Sequence, residues 1–97
     1  MDVKNYLLLH YGFKMPTPEI MAAWGKWFES IAAKIVDGGR LPVGREITNS
    51  GTKELPMAKN SITGYTVIKA KNLAEAEKIA RGCPIIASTR VYEVMGK

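Results

Sequence analysis

A short segment near the start of the chain is apolar on both of the faces that a β-strand would present. Residues 5–13 contain the run YLLLHY, and the breaker pair Met15-Pro16 follows. Length and breaker together predict a strand. By alternation, one face takes Leu7, Leu9 and Tyr11, and the other takes Tyr6, Leu8 and His10. Both faces of the sheet around this strand therefore need cover.

A helix is predicted after this strand. Thr17 is a good N-cap and Pro18 suits the first helical position. Apolar residues then recur at helical spacing, at Ile20, Trp24, Trp27, Phe28, Ile31 and Ile35. This spacing predicts an amphipathic helix of roughly five turns that ends at Asp37-Gly38-Gly39. We expect Phe28 to face the sheet squarely, so that Phe28→Ala destabilises the fold by roughly 3–5 kcal/mol.

The remaining elements are predicted from turn signals and periodicity. In chain order they are a strand at 41–47, a turn at 49–51, a loop or short irregular hairpin at 52–61, a strand at 62–71, a helix capped by Asn72 and a strand at 90–95. In the second helix the buried stripe is expected to comprise Leu73, Ala76, Ile79 and Ala80. No internal repeat or low-complexity linker interrupts the pattern, so residues 1–97 are expected to form one domain.

The order β-α-β-β-α-β is that of a ferredoxin-like α+β fold with a four-stranded antiparallel sheet, to which a short extra hairpin is added. Right-handed crossovers place both helices on one face of the sheet. The other face then has no cover within the chain. We assign Tyr6, Leu8 and His10 to that open face and expect a second copy to bury it, which gives a sheet-to-sheet homodimer.

Composition limits the classes of partner. The formal net charge is +5, but the basic residues are dispersed along the chain. Since the central strands are expected to lack exposed aromatic pairs, nucleic acid is an unlikely partner. No stretch reaches the ~20 apolar residues of a membrane-spanning helix, so no membrane role is expected. The single cysteine and the absence of a secretory signal favour a cytoplasmic protein.

The chain resembles the YCII-related family, in particular its DGPF-domain branch. The resemblance is carried by YLLLHYG at 6–12, GRLPVG at 39–44, GYTVI at 64–68, NLAEA at 72–76 and YEV at 92–94. It implies a dimeric α+β barrel of ferredoxin-like subunits with polar residues along a cleft. The motif that names the branch is absent, because its Asp-Gly-Pro-Phe falls on Thr52-Lys53-Glu54-Leu55. Only Lys59 persists nearby, and the helix histidine of related members falls at about Phe28.

The candidate catalytic pair is His10 and Glu93. His10 is the only histidine, and Glu93 lies on a strand expected to be its neighbour. A carboxylate beside an imidazole raises the pKa of the histidine above about 6.5 and orients it as a general base. Two alternatives stay open: a structural histidine hydrogen-bonded to backbone, and an ion pair of Glu93 with Arg45 or Arg90.

The expected function is the binding of a small organic ligand, with turnover by His10 and Glu93 left open. The ligand is expected in a cleft between the open sheet face and residues 52–61, with Trp24 available to stack on a planar molecule. The candidate ligand contacts are Tyr6, Tyr65, Trp24, Arg45 and Lys59. The alternative is a nonenzymatic accessory or regulatory module that acts by dimerising. No metal or cofactor is expected, since there is no second histidine, no CxxC and no phosphate-binding glycine loop. Cys83 follows a helix C-terminus, which raises the pKa of its thiol.

Overall fold

The computed structural model describes residues 3–95. In chain order its elements are β1 (Lys4–Tyr11), α1 (Pro18–Ser30), a 3-10 turn (Ala32–Lys34), β2 (Ile35–Arg40), β3 (Gly44–Thr48), β4 (Gly51–Leu55), β5 (Ile62–Ala70), α2 (Leu73–Ala80) and β6 (Ser88–Val94). Four strands form an antiparallel sheet in the order β2-β5-β1-β6. The predicted ferredoxin-like α+β fold is confirmed. Within the described residues, no helix has the length and apolar character needed to cross a membrane.

Helix α1 begins as predicted and ends earlier. The Thr17 hydroxyl accepts a hydrogen bond of 3.1 Å from the backbone N–H of Ile20, which confirms the cap. The helix ends at Ser30, whose hydroxyl donates to the Trp27 carbonyl at 2.7 Å. The expected continuation to Asp37-Gly38-Gly39 is wrong, because these residues pair with β5 as part of β2. A Cβ at Gly39 would lie 3.0 Å from the Tyr65 ring, so glycine here admits the ring and does not cap a helix.

The segment after β2 forms an arm that stands apart from the main sheet. Strands β3 and β4 pair only with each other, from Gly44 opposite Leu55 to Thr48 opposite Gly51. The turn predicted at 49–51 lies at their tip, and the hairpin alternative for residues 52–61 is correct for 52–55. The strand predicted at 41–47 is present as β3 over residues 44–48, but its expected place in the main sheet is wrong, because the strand that joins that sheet is 35–40. Every residue of the arm is exposed.

The two faces of β1 are the reverse of the expected ones. Tyr6, Leu8 and His10 are buried beneath the helices, while Leu7, Leu9 and Tyr11 lie on the opposite face and are only partly covered. Residues opposite one another in paired strands share a face, so the phase of β5 fixes that of β1. In β5 the buried set includes Thr66, Ile68 and Ala70, which pair with Leu8, Tyr6 and Lys4. The surface between Leu7, Leu9 and their neighbours is called the open face below.

The core lies between the helices and the sheet, and Trp27 is its aromatic centre. Trp27 is 5% exposed and its indole Nε1 donates to the Ile79 carbonyl at 3.0 Å. Phe28, expected to face the sheet, is 40% exposed and stacks on Trp24 with ring centroids 5.7 Å apart. The indole fits this position because it fills the space beneath α1 and also satisfies a carbonyl of α2.

Helix α2 follows its prediction closely at the N-terminus and less closely along its stripe. The Asn72 side chain accepts from the backbone N–H of Glu75 at 2.9 Å, which confirms the cap. Ala76 and Ala80 are buried as expected. The predicted burial of Leu73 is wrong, because this residue stands in the first turn of the helix and is 54% exposed.

Candidate functional site

The single histidine sits in a buried polar cluster between the sheet and α1. His10 Nε2 lies 3.0 Å from the Thr66 hydroxyl, and Nδ1 lies 3.4 Å from the Thr89 hydroxyl. The rings of Trp24 and Trp27 meet the imidazole edge-on, with centroids 5.0 and 5.9 Å away. We call His10, Thr66, Thr89 and the two tryptophans the histidine cluster. Its polar members lie on the helix-covered faces of β1, β5 and β6, and its two tryptophans belong to α1.

The electrostatics of this cluster favour a neutral imidazole. Burial lowers the pKa of His10 to about 4. One ring nitrogen of a neutral imidazole donates and the other accepts, and a threonine hydroxyl can complement either. Cys83 approaches the same cluster, with its sulfur 3.6 Å from the Thr89 hydroxyl. The pKa of this thiol is raised, as expected, although burial is the main cause.

His10 and Glu93 are not brought together. Glu93 stands opposite Tyr6 in the register of β1 and β6, whereas His10 stands opposite Thr89. Four residues along a strand separate the two positions, which is about 13 Å. Glu93 forms an ion pair of 3.4 Å with Lys4 at the rim. The expected coupling, and with it the expected rise in the pKa of His10, is therefore wrong: the pKa falls because the imidazole is buried without a counter-charge.

The expected ligand contacts are spread over the molecule. Tyr6 is buried in the core and Trp24 belongs to the histidine cluster. Arg45 lies on the exposed arm in an ion pair of 3.0 Å with Glu54. The Lys59 carbonyl accepts a hydrogen bond from the backbone N–H of Phe13, two residues after the end of β1. Only Tyr65 lies on the open face.

The open face carries an uncovered apolar strip, flanked by polar side chains of the two edge strands, that the sequence analysis did not anticipate; this strip is called the trough below. Its floor consists of Leu7 and Leu9 of β1 and Val67 of β5, which are cross-strand neighbours. On the β2 side, the Tyr65 ring packs over Gly39, and its hydroxyl donates to Asp37 at 3.4 Å. The trough is therefore apolar below and bounded by a phenol and a carboxylate along one edge.

The β6 side of the trough is basic and aromatic. Arg90 stands opposite Leu9 and Tyr92 opposite Leu7 on strand β6. The guanidinium carbon of Arg90 lies 4.8 Å from the centroid of the Tyr11 ring, within the range of a cation–π contact. Three strand spacings of about 4.8 Å separate β2 from β6, so roughly 14 Å lies between the two edge strands. A single planar ring fits across such a floor.

Sequence reasoning missed Asp37, Tyr11, Tyr92 and the role of Arg90, because it assigned the wrong face of β1 to the helices. A usable signal was present in β5. Its residues alternate so that Lys69 falls in one phase with Tyr65 and Val67, while Gly64, Thr66 and Ala70 fall in the other. A lysine is expected on an uncovered face, so Tyr65 and Val67, which share its phase, lie on that face of β5. Their partners in β1, Leu9 and Leu7, must then lie on the uncovered face as well. Nucleic acid was expected to be an unlikely partner because the central strands were expected to lack an exposed aromatic pair. Tyr11 and Tyr65 lie on the open face of the two central strands, so that reason no longer holds.

Comparison with known proteins bears on the fold. No family model matches the chain, and no curated protein matches its sequence. A solved structure of 5-chloro-2-hydroxyhydroquinone dehydrochlorinase from Burkholderia phenoliruptrix, in complex with 2,5-dihydroxybenzoquinone, aligns with a TM-score of 0.59 and 16% identity over 96% of this chain and 95% of that chain. The 30S ribosomal protein S6 from Thermotoga maritima aligns with a TM-score of 0.47 and 19% identity over 96% and 89%. The chain is thus similar in fold to the dehydrochlorinase. Among residues 3–95, no group of three or more His, Cys, Asp or Glu side chains is placed to hold a metal.

Proposed function

We propose that this protein is a homodimer that joins two open faces and encloses a small planar organic molecule between them. The observation that carries the proposal is the uncovered trough itself, with aliphatic side chains as its floor and tyrosines along its edges. A planar ring can lie on such a floor, and tyrosines are well suited to contact it because they combine apolar area with a polar tip. The resemblance to the YCII-related family supports the same arrangement.

The accessible surface of the chain supports a missing partner. It measures 7263 Å², whereas a folded monomer of 10.7 kDa exposes about 5,500 Å². The excess of about 1,700 Å² exceeds the ~800 Å² that each partner buries in a standard interface and lies in the range of obligate dimers. The radius of gyration, 14.6 Å, likewise exceeds the ~12.5 Å expected for this length.

The arm contributes to this excess and fits the same proposal. Val43, at its base, is 87% exposed, and Ile47, near its tip, is 78% exposed. An isolated two-stranded hairpin is marginally stable in water. We expect the arm to pack against the second copy, where these side chains become covered.

The kind of ligand is supported by the shared fold. The dehydrochlorinase, which is similar in fold, was solved in complex with 2,5-dihydroxybenzoquinone, a single planar ring. In this protein the open face offers a ring-sized apolar floor, whereas His10 lies beneath α1 on the other face of the sheet, where burial lowers its pKa to about 4 and makes the imidazole a weak base. We therefore propose binding as the primary activity. A dimerising module without ligand is the alternative, favoured by the same apolar face.

The dimer is tested by sedimentation equilibrium at tens of micromolar. Leu9→Glu places a charge in the trough and is expected to yield monomers, whereas the matched control Leu73→Glu, on the exposed part of α2, is expected to remain dimeric. A monomeric wild type refutes the interface. Loss of the dimer in both variants instead points to a general loss of fold, which circular dichroism detects.

Ligand binding is tested by NMR titration of the labelled protein with 2,5-dihydroxybenzoquinone. Amide shifts are expected at Leu7, Leu9 and Val67 and are expected to be absent in Leu9→Glu. A dimer without any such shifts would favour the module that acts by dimerising alone.

A further inference from the structure

One cation on the open face is held in place without a counter-charge. Among residues 3–95 the ion pairs are Lys4–Glu93, Arg45–Glu54, Lys53–Glu46 and Arg81–Glu77. Arg90 takes part in none of these. Its guanidinium instead lies over the ring of Tyr11, with 4.8 Å between the carbon and the ring centroid.

A second tyrosine lies near the same guanidinium. The pKa of Arg90 is raised, mainly by a side-chain hydrogen bond with Tyr92. Tyr92 lies two residues along the strand on the same face, opposite Leu7. The contact with the Tyr11 ring therefore favours one placement of the guanidinium before any ligand arrives, which reduces the side-chain entropy that binding must remove.

The trough is also electrically polarised. Arg90 stands on β6 at one edge, while Asp37 stands on β2 at the other and accepts from Tyr65. An anionic group on a ligand is attracted to the first edge and repelled from the second. The carboxylate of Asp37 thus disfavours an anion at its edge and Arg90 supplies the attraction at the other, with Lys69 farther along β5 as a further cation of the same face.

We propose that Arg90, Tyr11 and Tyr92 form a recognition site for the anionic group of an aromatic ligand, such as a carboxylate or a phenolate. This inference rests on the proposed dimer, because the second sheet removes water from the trough and so strengthens the charge interaction. A carboxylate accepts two parallel hydrogen bonds from a guanidinium, while its ring lies on Leu9. The ligand class is therefore a planar ring that carries an acid at one end.

The test compares benzoate with benzamide, which has the same shape and no charge, by NMR titration of the dimeric protein. The wild type is expected to bind benzoate about tenfold more tightly than benzamide, which is the selectivity of one charge-assisted pair over a neutral one. In Arg90→Gln the ratio is expected to fall to near one, and Arg90→Lys is expected to retain part of it because the charge remains and the fork is lost. Sedimentation of every variant is run in parallel.

The outcomes separate this inference from the proposed function. Equal binding of the two probes by a dimeric wild type, no binding of benzoate, or a ratio unchanged in dimeric Arg90→Gln overturns the anion site and leaves the dimer standing. If the Arg90→Gln variant is monomeric while the wild type is dimeric, Arg90 is an interface contact, and this outcome also overturns the anion site. A monomeric wild type refutes the proposed function. Tight, salt-sensitive binding of an eight-residue oligothymidine that Arg90→Gln abolishes assigns the arginine to a phosphate backbone and overturns the aromatic acid.

Discussion

The two faces of the central strand β1 differ in what covers them. Leu8 is fully buried beneath the helices, and its neighbour Leu7 stands on the open face with part of its side chain uncovered. On the helix face the polar groups are matched, as His10 with Thr66 and Trp27 with the Ile79 carbonyl show. On the open face tyrosines and an arginine are left available. One face therefore holds the fold together, and the other is the face that we propose joins a second copy and a ligand.

The largest expected effect tests the helix-covered face at two adjacent residues of α1. Trp27→Ala removes a buried indole and its hydrogen bond to the Ile79 carbonyl, so we expect a loss of about 3–5 kcal/mol in the free energy of unfolding. Phe28→Ala removes a ring that is 40% exposed, and we expect a loss of about 1 kcal/mol or less. Urea denaturation at one fixed protein concentration measures both. Equal losses would show that the helix is rotated from the position described here.

The second effect is a pH dependence that arises from the histidine cluster. The pKa of His10 is about 4 in the folded chain, against 6.5 when unfolded. Between these values the unfolded chain binds a proton that the folded chain does not, so stability falls as the pH drops. From pH 7 to pH 5 we expect a loss of about 2 kcal/mol in the free energy of unfolding.

Urea denaturation across this range, in the wild type and in His10→Asn, provides the check. Asparagine is polar but does not titrate, so the variant is expected to lose the slope whatever its absolute stability. A slope that persists in His10→Asn would assign the pH dependence to other groups.

The third effect tests the arm, where a small change in stability is expected. Arg45 and Glu54 form an ion pair of 3.0 Å with both side chains mostly exposed. Such pairs contribute about 0–1 kcal/mol, so Arg45→Gln is expected to change the free energy of unfolding by about 0.5 kcal/mol or less. The matched variant Lys53→Gln, in the neighbouring pair with Glu46, is expected to behave alike. A loss above about 2 kcal/mol that grows with protein concentration would place Arg45 in the dimer interface.

Much of the topology could be predicted from the sequence, because local signals specify it. Thr17 and Asn72 lie at helix starts and their side chains cap the helices as predicted. The register of the second strand could not be predicted in this way, because Asp37-Gly38-Gly39 has the composition of a helix end. Only the approach of the Tyr65 ring to Gly39 shows why glycine is needed in a strand there.

The site was less predictable than the fold because it depends on strand phase. When both faces of β1 are apolar, alternation sorts the residues into two sets and does not say which set the helices cover. The choice made on the sequence placed His10 on the open face and Leu9 beneath the helices, and the whole candidate site followed that choice. Pairing with β5, where Lys69 is exposed and Ala70 buried, resolves it.

The smallest expected effect concerns the titration of His10, which we expect to be the same when Glu93 is altered. Glu93 lies opposite Tyr6 and pairs with Lys4, about 13 Å along the strand from the position opposite His10. Charge at that distance near the surface is largely screened at physiological ionic strength. We therefore expect the imidazole resonances to keep their neutral values from pH 8 to pH 5.5 in both the wild type and Glu93→Gln.

The one histidine of the chain makes the NMR assignment unambiguous. Thr66→Val serves as the positive control, since it removes the hydroxyl 3.0 Å from Nε2 and should shift these resonances. A wild-type imidazole that titrates above pH 6.5, and whose pKa drops in Glu93→Gln, would restore the acid–base pair and contradict the separation of the two residues along β1 and β6.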